Sequence, residues 1–212
     1  SGQSCLRRNP TTFATGWSSM AGRSAWRGSL TVPTAPCGPG ATFSARKAHD
    51  LEYIDFHSWP RKEHFRFFSG LSFPFYGVTL SLDVTNLRSY VKAHGLSFYY
   101  ALIYATLTAM NGLPDFLYKI RGDRIVRHDR LHPSFVVLDE DTHLIKIVNV
   151  SLDGTMEAFC RRAEEQVLTQ KEPFPDAQQE NRDDLVYISC TPWFSFTSLS
   201  NEMDCDPDDS IP

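Results

Sequence analysis

Residues 97–111, SFYYALIYATLTAMN, constrain the fold more than any other stretch of the chain. Wound into a helix, they place apolar and aromatic side chains on nearly every side, leaving no face suited to water. Fifteen residues interrupted by Tyr, Thr and Asn fall well short of a membrane span. Ser97 offers an N-cap and Gly112 a stop. The segment therefore predicts a helix covered on most sides, seated against a sheet.

The strands of such a sheet are visible on either side. Tyr76–Val84 alternates polar and apolar residues as a half-buried strand does. Thr85 can cap a short helix whose Leu87, Tyr90 and Val91 share a face and which ends at Gly95. Phe116–Ile120 and Arg124–His128 flank Arg121-Gly122-Asp123, which reads as a hairpin turn rather than an adhesion tripeptide. Ser134–Leu138, Leu144–Val150 and Leu185–Ser189 are further strand-like runs. Between the last two, a helix over about Thr155–Gln170 carries Met156, Phe159, Cys160, Ala163 and Val167 in one stripe, which is core. Strands and helices without strict alternation predict a mixed sheet with helices packed on it, an α+β fold.

Composition divides the chain at about residue 48. Residues 1–48 hold six of the 12 glycines, four prolines and no acidic residue. They cannot bury enough apolar surface to offset their ordering entropy, so they are expected to be unstructured or extraneous to the domain. Their Arg- and Ser-rich make-up fits an extraneous upstream segment, the simpler reading, or an organellar transit peptide. Six of the 21 basic residues fall here, so the remainder carries 15 basic against 25 acidic side chains. That balance gives no reason to expect nucleic acid or an anionic membrane as partner. Five cysteines without a C-x-x-C pair argue for reduced thiols and a soluble, cytoplasmic protein.

Motifs of general chemistry are few. His128 and His132 are four apart, but Pro133 and strand-like flanks oppose a helix that would turn both toward one metal, and no metal site is expected. No H-E-x-x-H, G-x-S-x-G, Walker loop or G-x-G-x-x-G occurs.

Two blocks say more. One is Trp59-Pro60-Arg61-Lys62-Glu63-His64-Phe65-Arg66-Phe67-Phe68, continuing to Phe73-Pro74-Phe75-Tyr76-Gly77; the other is Pro192-Trp193-Phe194-Ser195-Phe196-Thr197-Ser198. With the helix start at Leu96, the Tyr118–Asp123 hairpin and Phe174-Pro175 before Asn181, they are in order and in register with the chloramphenicol acetyltransferase family. The resemblance covers about Leu51 to Pro212. It implies an α+β, mixed-sheet, two-layer sandwich of the CoA-dependent acyltransferase type over residues 49–212. It also implies O-acetylation of chloramphenicol by acetyl-CoA, hence antibiotic resistance, in a homotrimer whose pockets lie between subunits.

The same resemblance implies roles for particular residues. Ser198 matches the serine that donates to the oxyanion of the tetrahedral intermediate. Arg61 matches the arginine that pairs with the aspartate of a C-terminal His-His-x-x-x-Asp-Gly motif, whose histidine is the general base. Phe67, Phe68, Tyr76 and Leu144 correspond to walls of the antibiotic pocket, and the family often has tyrosine where Phe68 stands. No His-His-x-x-x-Asp-Gly occurs; Asp153-Gly154 is preceded by Val148-Asn149-Val150. The domain is therefore expected to be incomplete and the 212 residues inactive by themselves. The alternatives are an acetyltransferase for another small hydroxyl acceptor, and a non-catalytic binding protein or inert fragment on the same scaffold.

Overall fold

The structure, a computed structural model, describes residues 52–71, 77–121, 124–139, 142–176, 182–192 and 196. In chain order its elements are β1 (Glu52–Tyr53), α1 (Lys62–Ser69), α2 (Thr85–His94), α3 (Phe98–Asn111), a 3-10 turn (Pro114–Leu117), β2 (Tyr118–Arg121), β3 (Arg124–Arg127), β4 (His132–Leu138), β5 (Ile145–Asn149), α4 (Met156–Thr169) and β6 (Leu185–Ile188). They form two three-stranded sheets. One is antiparallel, in the order β1-β3-β2; the other is mixed, in the order β5-β4-β6, with β5 antiparallel and β6 parallel to β4.

The all-round apolar helix lies where its composition requires. Ser97 caps α3 by accepting the Tyr100 N–H, and Ala101, Ile103, Leu107 and Met110 are buried. Burial of each of the three larger side chains, Ile103, Leu107 and Met110, is worth roughly 1.5–3 kcal/mol. On the mixed sheet, Phe135 of β4 pairs in register with Val148 of β5 and Ile188 of β6. These three are core residues, as are Leu107 of α3 and Phe159, Cys160 and Ala163 of α4. Helices thus form one layer and the mixed sheet the other, which is the expected α+β arrangement. Tyr99 and Tyr100 set their rings 5.9 and 5.6 Å from that of Phe135, and Tyr104 sits 5.7 Å from Phe159. At the end of α3, Asn111 takes the N–H of Leu131 at 2.7 Å and gives its amide to the Leu131 carbonyl at 3.0 Å. One side chain there does the work of a strand neighbour.

The helix of the Met156–Val167 stripe forms as its pattern predicts, with Thr155 at its N-cap accepting the Ala158 N–H. Three elements differ from the sequence reading. Thr85 is the first helical residue of α2 rather than its cap, and its N–H is taken by the Asp83 carboxylate at 2.9 Å. Phe116 and Leu117 belong to the 3-10 turn, because Pro114 presets the backbone angle that starts it. Gly77–Val84 is not a strand of either sheet: none of the six strands pairs with it, and Val78, Leu80 and Leu82 remain 64, 65 and 62 % exposed. Alternation specifies which side chains share a face, but a ladder needs a neighbouring backbone, and the described residues supply none.

Candidate functional site

Three of the residues expected at the site are gathered by one short helix that periodicity had not revealed. In α1, KEHFRFFS, Phe65 turns inward against Phe56 and Trp59, with ring centroids 5.7 and 6.0 Å away, and Trp59 in turn meets Tyr118 of β2 at 6.0 Å. Arg66 lies over the Phe56 ring at 5.1 Å and pairs with Glu63 at 3.0 Å. This aromatic wedge seats α1 beside the antiparallel sheet. The signal was present in the alternating Trp, Phe and basic residues, but eight residues are too few for the helical period to stand out.

Arg61 is the N-cap of α1, and its carbonyl accepts the Phe65 N–H at 2.9 Å. Its guanidinium contacts Asp115 of the 3-10 turn at 2.7 Å, with side chains 40 and 64 % exposed. A pair so open to water contributes at most about 1 kcal/mol. Asp115 thus occupies the arginine in this structure, whereas the sequence resemblance assigns it an aspartate of a histidine motif. Phe67 and Phe68 pack edge to face, with centroids 5.2 Å apart; Phe67 stays 67 % exposed and Phe68 is half-buried. Leu144 stands on a different element, the β4–β5 connection, and is 64 % exposed behind His143, whose φ is 57°. Ser198 and Tyr76 lie outside the described residues. The helix α1 and its cap therefore bring together Arg61, Phe67 and Phe68, while Leu144 is presented from elsewhere.

An open cavity of about 980 Å³ lies at the far end of α4, lined by Arg162, Gln166, Gln170, Pro173, Phe174 and Arg182 among others. Of the expected site residues that are described, Arg61, Phe67, Phe68 and Leu144, none lines it. Among the described residues there is no group of three or more His, Cys, Asp or Glu placed to hold a metal ion, and no helix long and apolar enough to cross a membrane.

A cluster of charged groups that sequence reasoning scattered lies elsewhere in the fold. Asp183 receives both Nε and Nη2 of Arg121 at 2.7 Å, and Asp184 receives Arg182 at 2.8 and 2.9 Å. His128 Nε2 lies 3.1 Å from Asp183 but makes no hydrogen bond, because the contact is off the donor direction; His132 Nε2 is 3.9 Å from Asp184. Burial pushes both imidazoles below the ordinary histidine range, and the carboxylates only partly offset it. The guanidiniums hold both carboxyls below their usual range despite burial. Lys119, whose ammonium donates to the Leu185 carbonyl at 3.1 Å, is lowered by the same desolvation. These residues span more than sixty positions of sequence. The parallel pairing of β4 with β6 brings Asp183 and Asp184 to His132, and Arg121 and Lys119 reach them from β2 of the other sheet.

Comparison with known proteins gives this geometry its context. The sequence model of the family described as chloramphenicol acetyltransferase matches residues 49–211. Chloramphenicol acetyltransferases of Escherichia coli and Acinetobacter baumannii are each 30% identical over 149 residues, 69% of this chain and 67% of the relative. The one from Proteus mirabilis is 25% identical over 150 residues. A solved structure titled chloramphenicol acetyltransferase superposes with a TM-score of 0.65 at 27% identity, covering 72% of this chain and 75% of that one. The chain belongs to the chloramphenicol acetyltransferase family, and is by that membership of the acyltransferase class.

Proposed function

We propose that the protein serves O-acetylation of chloramphenicol, with acetyl-CoA as the donor, and so confers resistance to the antibiotic. The observation that carries this reading is the match of residues 49–211 to the family, with relatives 30% identical that bear the name of that activity. The exposed face of α1 adds support. Phe67 and Phe68 offer aromatic surface next to a cationic cap residue, suited to a small ring-bearing substrate. Within the reading, Ser198 donates to the oxyanion, Arg61 positions the base by pairing with a carboxylate, and Phe67, Phe68, Tyr76 and Leu144 shape the acceptor pocket. A homotrimer working in the cytoplasm completes it, and residues 1–48 lie outside the packed domain.

Direct acetyl transfer needs a base to take the hydroxyl proton as the oxygen attacks the thioester carbon. A histidine near neutrality suits that task and contributes about 10²–10⁴-fold. The 212 residues contain no His-His-x-x-x-Asp-Gly. The purified chain is therefore expected to release no CoA above the uncatalysed rate. A chimera carrying the histidine-motif portion of the Escherichia coli relative is expected to release it with chloramphenicol, and more slowly with other small hydroxyl compounds. A folded chimera that binds neither acetyl-CoA nor chloramphenicol would favour a non-catalytic role. Turnover with a different hydroxyl acceptor alone would keep the class and change the substrate.

A further inference from the structure

The connection from β5 to α4, residues 150–155, is held down by side chains from three elements. Arg130 donates to the Leu152 carbonyl at 2.9 Å and to the Asp153 carboxylate at 2.7 Å, Arg162 donates to the Ser151 carbonyl at 3.0 Å, and Tyr104 donates to the Gly154 carbonyl at 2.9 Å. All of these are donors meeting carbonyls or a carboxylate, and none changes with pH near neutrality. Arg162 also reaches the Asp153 carbonyl, and the Val150 N–H donates to the Pro133 carbonyl at 3.2 Å. A further tie differs in kind. The Leu152 N–H donates to Nδ1 of His132 at 2.9 Å, so this ring nitrogen must carry a lone pair and not a proton.

That requirement conflicts with acidification. A proton added to Nδ1 would place two N–H donors face to face and strip the Leu152 amide of its acceptor, and Leu152 is only 6% exposed. The surroundings do not favour the extra charge either. The groups facing His132 are Asp184 and Arg182 on the approach to β6, Asp153 in the connection itself, and Arg130 ahead of β4. Two carboxylates and two guanidiniums already balance there, with Asp184 taken by Arg182 and Asp153 by Arg130. A protonated imidazole would be a surplus cation on a side chain only 12% exposed. His132 is also the first residue of β4, and its own N–H is bound by the Asp184 carbonyl at 2.8 Å, so the backbone that carries the ring is fixed at the β4–β6 junction.

We propose that His132 is an acid-operated latch: its neutral Nδ1 holds the Leu152 amide, and protonation of that nitrogen by solvent releases this amide and loosens the connection between β5 and α4 at Leu152, while its other ties stay in place. His128, similarly buried and facing Asp183, Asp184, Arg121 and Lys119, accepts no backbone N–H through Nε2 and serves as the matched control. The latch is a property of the fold and does not rest on the function proposed above.

Amide hydrogen exchange at Leu152, followed by NMR on the whole chain from pH 7.5 to 5, tests it. His132→Asn supplies an oxygen near the position of Nδ1 without titrating, so the ratio of exchange in the parent to that in His132→Asn at each pH removes the intrinsic pH dependence. If the open connection has an ordinary imidazole pKa of ~6.5 and the closed one resists protonation, the ratio rises by up to about thirtyfold at pH 5. His128→Asn is expected to keep the parent's response. A flat ratio, or an equal effect of His128→Asn, would overturn the proposal. Should His132→Asn fail to fold, the imidazole 15N shifts of the parent decide. An unprotonated Nδ1 at pH 6, with Leu152 exchange rising as it titrates, supports the latch, and a free titration near 6.5 with Leu152 unaffected overturns it.

Discussion

Two phenylalanines of the same size make a sharp contrast between what holds this protein together and what it offers to a ligand. Phe135 is fully buried at the centre of the mixed sheet, beneath the rings of Tyr99 and Tyr100. Phe67 stands on α1 with two thirds of its surface in water. Truncating a buried Phe removes its transfer energy and leaves a cavity that β4, flanked in register by β5 and β6, cannot collapse to fill. The expected cost of Phe135→Ala is about 3–5 kcal/mol. Against a total stability of ~5–15 kcal/mol, that is about a fifth of the whole or more. With a urea dependence of ~2–3 kcal/mol per molar, the unfolding midpoint should fall by about 1–2.5 M at unchanged slope. Phe135→Leu, which keeps most of the volume, should lose only about 1–2 kcal/mol and guards against outright misfolding of the alanine variant. Phe67→Ala should change stability by less than about 0.5 kcal/mol, since the ring is mostly in water and meets only Phe68 edge to face. Its effect belongs in the chimera's KM for the acceptor. Urea titrations by tyrosine and tryptophan fluorescence give all three numbers. A Phe135→Ala chain within ~1 kcal/mol of the parent would show that the helices do not close over the mixed sheet as described. A Phe67→Ala chain that loses as much as Phe135→Ala would show that α1 is buried.

Other outcomes follow from single contacts or from the family resemblance. In the chimera, Ser198→Ala should lower kcat by about 10²–10³ with little change in KM, while Ser195→Ala does much less; thermal melts beside the kinetics separate a lost donor from lost protein. The Tyr90 hydroxyl, donating to Glu157, is the main reason that this carboxyl is held at about 2. Its folded pKa lies below its unfolded one, so the bond stabilises above ~4.5 and its contribution fades as pH falls toward 2. Tyr90→Phe should bring the Glu157 carboxyl, read by 13C NMR, back up toward 4.5, and an unmoved titration would assign the shift to another partner. Limited proteolysis should cut ahead of Leu51 and leave a resistant remainder, and protection throughout residues 1–48 would place that segment in the packed domain.

The parts of this structure legible in the sequence are those in which the information is local. The 97–111 helix could be placed because its composition forbids any exposed face, and Ser97 and Gly112 mark its ends. The 156–169 helix could be placed because five apolar residues repeat at its period beside a capping threonine. The hairpin of β2 and β3 was readable from its turn, although Pro114 drew Phe116 into a 3-10 turn. The helix α1 was not readable by period, being two turns long and held through Phe65 on Trp59, whose ring meets Tyr118 more than fifty residues away. For the site, resemblance named Arg61, Phe67 and Phe68, and the fold sets them on one helix and its cap. No local pattern gave Asp115 as the arginine's partner, because that pairing depends on where α3 delivers the turn that follows it.

The His132 cluster shows why the rest stayed hidden. In the sequence, Asp183 and Asp184 are two acids on the approach to a strand, and His128 and His132 are two histidines around another, with nothing to join them. They meet because β6 adds parallel to β4, with His132 opposite Leu185, and a parallel pairing always needs a long connection, here the one carrying β5 and α4. The same connection supplies the Leu152 amide that fixes the imidazole's tautomer. A histidine's chemistry in this fold is thus decided by backbone geometry contributed from 20 residues further along. Its spacing from another histidine, which was all the sequence offered, bears on none of it.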